Sequence, residues 1–131
     1  MRLLTTLVLT SVLIIVAGCS SSSQETGTLS GHVDIGPLQP VIREGEPEPT
    51  PAPEMVAAWK IVVFTEDGRK EIARVDIDSG GDYHVLLPVG TYKVTAELVS
   101  GGGLGQQQAY YPEISKGRTT QLDVEIDTGI R

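Results

Sequence analysis

The sequence predicts an all-β protein, an antiparallel β-sandwich of about seven strands. Three observations carry that prediction. From Thr28 onward apolar residues recur at alternate positions, the period of a strand with one face inward and the other in water. No helix-length window repeats at 3.6 residues, and Val56–Trp59 has room for one helical turn at most. Turn-forming residues punctuate the runs, with Asp67-Gly68 and Pro88-Val89-Gly90 the clearest.

An element of a different kind precedes the strands. A short basic start, Met1-Arg2, leads into an apolar run from Leu3 to Ala17 interrupted only by Thr5, Thr6, Thr10 and Ser11. That is the pattern of a secretory signal, and it is shorter than the ~20 apolar residues a membrane span needs. Its end, Val16-Ala17-Gly18-Cys19, resembles the lipobox of bacterial lipoproteins. The resemblance implies a signal peptide over 1–18, cleavage before Cys19, and acylation of the Cys19 sulfur and usually of the new amino group. At about 0.8 kcal/mol per buried acyl CH₂, two or three chains hold a protein on a bilayer almost permanently. The same resemblance implies a lipid-anchored place on the cell membrane or outer membrane, exposed to the periplasm or the exterior. In Gram-negative envelopes an Asp after the cysteine usually retains a lipoprotein at the inner membrane; Ser20 permits export to the outer one. The stretch 19–27 reads as the lipidated cysteine and a polar tether, whose eight residues from Ser20 to Gly27 extend to about 25–29 Å.

The remainder, 28–131, is one domain. In Thr28–Ile35 the residues Leu29, Gly31, Val33 and Ile35 alternate with Thr28, Ser30, His32 and Asp34. Lys60–Thr65 is a nearly continuous apolar run, as in a central strand. The Glu66–Arg69 turn returns it into Glu71–Asp78, with Ala73, Val75 and Ile77 on one face. Tyr83–Leu87 and Thr91–Leu98 read as a second hairpin across Pro88-Val89-Gly90, and Thr119–Ile126 as the last strand. Trp59, Phe64, Tyr83 and Tyr92 are the expected large core groups. Between the first strand and Lys60 lies an insertion, 36–59, holding six of the eight prolines. Within it Glu44–Glu54 alternates proline with acid and favours polyproline II.

Composition excludes several classes. The formal charge is −7, and one unit more negative once Arg2 leaves with the leader, so phosphate backbones are repelled and no nucleic acid is expected. Cys19 is the single cysteine; acylated, it leaves no thiol for a disulfide or for catalysis. There is no asparagine, hence no N-glycosylation.

Asp78–Val94 reads Asp-Ser-Gly-Gly-Asp-Tyr-His-Val-Leu-Leu-Pro-Val-Gly-Thr-Tyr-Lys-Val. It resembles the signature of carboxypeptidase regulatory-like domains, a transthyretin-like (prealbumin-like) sandwich family akin to Ig-like folds. The matching residues are Gly81, Asp82, Tyr83, Leu87, Pro88, Gly90, Tyr92 and Val94. Leu29–Val33 is similar to the family's first strand, with Gly31 at its recurrent glycine. The resemblance implies the fold and an accessory module that does no chemistry. The 36–59 insertion departs from the pattern.

Candidate chemistry is sparse. Asp76, Asp78 and Asp82 around Gly80-Gly81 suggest a calcium loop, but Gly80 and Leu87 stand where the helix-flanked motif needs an oxygen ligand and a Glu; a connector whose Asp residues bond their own backbone is the other account. His32 and His84 have no metal-ligand spacing and fall on solvent-facing positions. No Gly-x-Ser-x-Gly turn is present. Related surface sandwiches crosslink Lys to Asn, which this chain lacks; a Lys–Asp version would need Lys60 or Lys93 with Asp123 and Glu97.

The expectation is therefore a non-enzymatic, lipid-anchored cell-envelope module that meets a protein partner, without cofactor or resident metal. Its candidate contact residues are Arg43, Glu44, Glu46, Pro47, Glu48 and Pro49, with exposed Tyr110 and Tyr111 second. A carbohydrate-binding lipoprotein is the alternative, using Tyr110, Tyr111 and Gln106–Gln108 for stacking and amide hydrogen bonds. The Pro/acid tract is either a preformed ligand for a partner or a solvated loop shielding a sheet edge.

Overall fold

A computed structural model describes residues 23–41, 43–101 and 107–130. The expected signal peptide, the expected lipidation site Cys19, the first residues of the expected tether and Gln106 lie outside them. The elements are β1 (Thr26–Gly36), α1 (Pro53–Ala57), β2 (Trp59–Thr65), β3 (Glu71–Asp76), β4 (Asp82–Pro88), β5 (Gly90–Leu98), β6 (Glu113–Ile114), β7 (Thr119–Gln121) and β8 (Val124–Asp127). They form two sheets. One holds β4, β1 and β7, with β8 also pairing β1; the other runs β3-β2-β5-β6. Among the described residues no helix is long and apolar enough to cross a membrane.

The core lies between the sheets, as alternation dictates. Leu29, Val33 and Ile35 of β1 meet Ile61 and Val63 of β2, Tyr83 and Leu87 of β4, Val94 and Ala96 of β5, and Val124 and Ile126 of β8. Each fully buried aliphatic side chain of this kind contributes about 1.5–3 kcal/mol. Trp59, Tyr83 and Tyr92 are buried as expected. Phe64 is not: it is half-buried, because the inward positions of β2 are Ile61 and Val63, and Phe64 shares the outer face with Val62.

The Asp67-Gly68 turn forms as read. Gly68 has φ +73°, its N–H bonds the Thr65 carbonyl at 2.7 Å, and Asp67 Oδ1 accepts from Thr65 Oγ1 at 2.6 Å and from the Arg69 N–H at 3.0 Å. Both oxygen contacts hold the Asp67 carboxyl below its ordinary pKa, with Thr65 the larger cause. The single helical turn is α1, which begins at Pro53 and ends at Ala57 instead of spanning Val56–Trp59, with Val56 buried against the core.

Four expectations are corrected. Pro88-Val89-Gly90 does not close a hairpin: β4 pairs β1 while β5 pairs β2, so the segment carries the chain from one sheet to the other. Gly90 sits at φ +153°, and Tyr92 braces the corner by donating its hydroxyl to the Pro88 carbonyl at 2.6 Å. The pairing is not antiparallel throughout, because β7 and β8 both run parallel to β1. The final strand is interrupted at Leu122–Asp123, yet one register continues across the gap: Ser30 faces Gln121 and Val33 faces Val124. Finally, Gly27 is no tether. It is buried in β1, and a side chain there would meet the Ser115 carbonyl at 2.3 Å.

The interruption has a local cause. A Cβ on Gly31 would lie 1.7 Å from the Leu122 carbonyl oxygen. That oxygen therefore occupies the space a side chain would take, and it accepts the Tyr83 hydroxyl at 2.6 Å. Burial first, then the nearby Asp123 charge and Tyr110, push the Tyr83 hydroxyl well above its ordinary pKa, so it stays a donor.

Candidate functional site

The eleven residues of β1 extend about 33–36 Å at 3.3 Å or so per residue, from the pole of Thr26 to an opposite, distal pole at Gly36. The distal pole gathers the unusual chemistry. Pairing in this sheet sets His32 opposite Asp82, Asp34 opposite Glu125, and Gly36 opposite Asp127. Strand alternation turns Val33, Ile35, Val124 and Ile126 inward, so the charged partners all point away from the core.

His32 is the centre of this cluster. Its Nδ1 lies 2.8 Å from Asp82 Oδ1, its Nε2 3.8 Å from Asp34 Oδ1, and its backbone N–H donates to Asp123 Oδ1 at 3.0 Å. The hydrogen bond to Asp82 raises the His32 pKa above the ordinary value; partial burial opposes it, and the charges of Asp34, Asp82 and Asp123 add to it. Asp123 is held low, first by the His32 N–H and next by the Gln121 amide. Asp82 is set in place by its own turn: Asp78 Oδ1 accepts the N–H groups of Gly80 and Asp82, each at 2.9 Å. Gly81, at φ +87°, lets the chain pass 2.8 Å from the His32 ring, measured from a notional Cβ.

A groove of about 990 Å³ opens here. One wall is His32, Asp34, Asp123, Glu125 and Asp127; the other is Glu48-Pro49-Thr50-Pro51 of the insertion, with Val56 and Tyr110 between them. The insertion is tied to β8 at its start, where Thr128 donates its N–H to Gly36 and its hydroxyl to the Pro37 carbonyl.

The expected contact residues divide. Glu48, Pro49 and Tyr110 come together at the groove. Arg43, Glu44, Glu46 and Pro47 are exposed on the same tract, which turns at Gly45 (φ +90°) with Glu46 N–H on the Arg43 carbonyl at 3.1 Å. Tyr110 is not exposed: it is half-buried, and its hydroxyl accepts the Glu125 N–H at 3.1 Å. Tyr111 is exposed and does not line the groove. Gln107 bonds the Asp127 main chain through both ends of its amide, at 3.1 and 3.2 Å. The groups considered for sugar stacking and amide contacts are thus partly engaged within the fold.

The three carboxylates considered for calcium do not converge. Asp76 pairs with Lys60, Asp78 closes its own turn, and Asp82 faces His32. Among the described residues no group of three or more His, Cys, Asp or Glu side chains is arranged to hold a metal ion. Asp123 lies between β7 and β8 and accepts the His32 N–H, while Lys60, Lys93 and Glu97 are on β2 and β5 of the other sheet and Glu97 pairs Arg74 at 3.1 Å, so neither lysine assembles a crosslinking set with Asp123 and Glu97. His32, Asp34, Asp123 and Glu125 are functional candidates that sequence reading missed as a group. Only the parallel register of β1 and β8 brings them together.

No family model matches the chain, and no curated protein matches it. Its fold does recur in solved structures. GBS52, the minor pilin of the Gram-positive pathogen Streptococcus agalactiae, superposes with a TM-score of 0.54 at 20% identity over 79% of this chain and 45% of the pilin. A DUF3823 family protein from Parabacteroides merdae gives 0.49 at 18% identity over 79% of this chain and 46% of its own. The chain therefore spans less than half the length of either protein, and the pilin likeness establishes a shared β-sandwich fold.

Proposed function

We propose that this chain is a non-enzymatic, lipid-anchored module of the bacterial cell envelope, of the carboxypeptidase regulatory-like kind, whose distal groove receives a cationic segment of a protein partner. The signal and the lipobox ending at Cys19 support the anchoring, and the Asp78–Val94 signature supports the kind of module. Occurrence of the same fold in a minor pilin agrees with a structural rather than catalytic use.

The observation that carries the groove's role is the register of Asp34 against Glu125. Like charges directly opposite on neighbouring strands are destabilising. Asp123 and Asp127 line the same groove beside that pair, and Glu48 stands on the facing wall. A Lys- or Arg-bearing segment relieves that repulsion, and prolines already fixed in the wall reduce the ordering cost of its docking.

The test is photo-crosslinking on intact cells from a reactive residue at Pro49. Wild type should give a defined protein adduct, and Asp34→Lys with Glu125→Lys should reduce it about tenfold, matching the loss of a desolvated charge contact. Tyr111→Ala should leave it unchanged. Adducts that survive the double reversal, or that vanish only with Tyr111→Ala, rule out the groove.

A further inference from the structure

We infer that the pole opposite the groove is a bilayer-contact surface: the turn Lys116-Gly117-Arg118 and exposed Val89 rest on anionic lipid headgroups and stand the domain upright. The inference rests on acylation of Cys19. Its first support is reach. Glu25 is already bound to the domain, through its carbonyl to the Val89 N–H at 2.9 Å and through its carboxylate to Lys116 Nζ at 2.7 Å. Only Ser20–Gln24 separate it from Cys19, so the covalent path spans at most about 20–22 Å. The pole is held within that distance of the lipid.

The exit point is also rigid. Gly117 N–H bonds the Thr26 carbonyl at 2.9 Å, Thr28 N–H bonds the Arg118 carbonyl at 2.8 Å, and the Ser115 carbonyl packs into the space Gly27 leaves. The chain therefore leaves the domain beside Lys116 and Arg118, both exposed, and beside Val89, which is 45% exposed.

Charge asymmetry is the second support. Glu44, Glu46, Glu48 and the carboxylates of the groove crowd the distal pole, where Arg43 is the nearest cation in the tract. At the tether pole, where β1 and β5 begin and β2 ends, the acids Glu25, Glu66, Asp67, Glu71 and Glu113 are matched by Arg69, Lys70, Lys93, Lys116 and Arg118. A negative leaflet repels the first pole and attracts the basic turn of the second, over a range of about one Debye length, 8–10 Å. An anchored domain with this asymmetry holds its acidic groove away from the membrane, where a partner can reach it.

The test uses the full-length acylated protein in phosphatidylcholine–phosphatidylglycerol vesicles. Because acylated Cys19 has no thiol, Val89→Cys and Glu46→Cys each carry one fluorophore. Headgroup-attached nitroxide should quench position 89 about threefold or more over position 46, and high salt or Lys116→Gln with Arg118→Gln should reduce that ratio toward one. Equal quenching at both positions, or none at 89, in protein that still floats with the vesicles overturns the upright pose and leaves the anchor standing. Protein that fails to float, like a Cys19→Ala control, removes the anchor and the pose together. A ratio insensitive to salt and to the double substitution overturns the headgroup contact.

Discussion

Two stretches approach the same groove and are built on opposite principles. From Asp78 to Val94 a series of specific contacts fixes the chain. Asp78 closes a turn, Gly81 passes the His32 ring, Tyr83 reaches Leu122, Leu87 fills the core, and Tyr92 braces the sheet change at Pro88. From Pro40 to Thr50 the described residues are all exposed, and beyond the one turn at Gly45 the chain is shaped by proline stiffness and like charge. The first stretch carries much of the domain's framework. The second contributes little to stability and presents carboxylates and proline rings on a fixed path. Substitutions should therefore separate the two, with stability lost in the framework and binding lost at the tract.

The largest effect should come from Gly31→Ala, which acts on the framework through its partner strand. The added methyl meets the Leu122 carbonyl, which cannot withdraw without breaking the Tyr83 bond and the Leu122 N–H bond to Ser30 at 2.8 Å. Overpacking against backbone costs about 3 kcal/mol. Urea unfolding should show it, and a change below about 0.5 kcal/mol would mean the close approach is not rigid.

Tyr83→Phe should come next. The ring stays in the core while the Leu122 carbonyl loses its donor, at a cost of about 1–2 kcal/mol for an acceptor left unpaired. Circular dichroism melting of the two proteins measures it. An unchanged midpoint would show that water takes the place of the hydroxyl.

These two residues also show what can be read from one sequence. Alternation in β1 and β5, the Asp67-Gly68 turn and the inward aromatics depend on neighbours along the chain, and they were legible. Phe64 followed the same logic and fell on the other face, because the unbroken apolar run Ile61–Phe64 has no alternation to choose a side. Gly31 was visible as a glycine at an inward strand position, but its reason lies 91 residues away in Leu122. The same separation hides the site: His32 and Asp123 are 91 residues apart. Parallel pairing of a last strand with a first one leaves no local trace. The Pro/acid tract was legible as composition, which revealed its stiffness and charge but not the wall it faces.

His32→Gln should have a smaller effect, and one that depends on pH. The folded pKa of His32 is raised, chiefly by Asp82. Its contribution to stability is therefore complete below the unfolded value of about 6.5 and is lost as pH rises through the folded value. Wild type should lose stability as pH rises from about 6.5 through the raised folded value, and the Gln variant, which cannot take up the proton, should be flatter there. Melting in matched buffers tests the sign: a wild-type midpoint that rises with pH there contradicts the arrangement of carboxylates around the ring.

The smallest effect on folding should follow Glu44→Gln with Glu46→Gln. Both side chains are exposed on the tract and away from the core, so the unfolding midpoint should shift by less than about 0.5 kcal/mol. Their removal nonetheless weakens the field that draws a cationic segment toward Glu48 and Asp34, and that field acts mainly on the rate of encounter. Association of the partner captured from Pro49, followed at low and at moderate salt, should slow in the double variant at low salt and converge with wild type as salt rises, while dissociation stays the same. If instead the double variant unfolds earlier, the tract is part of the framework after all, and the contrast between the two stretches is one of degree.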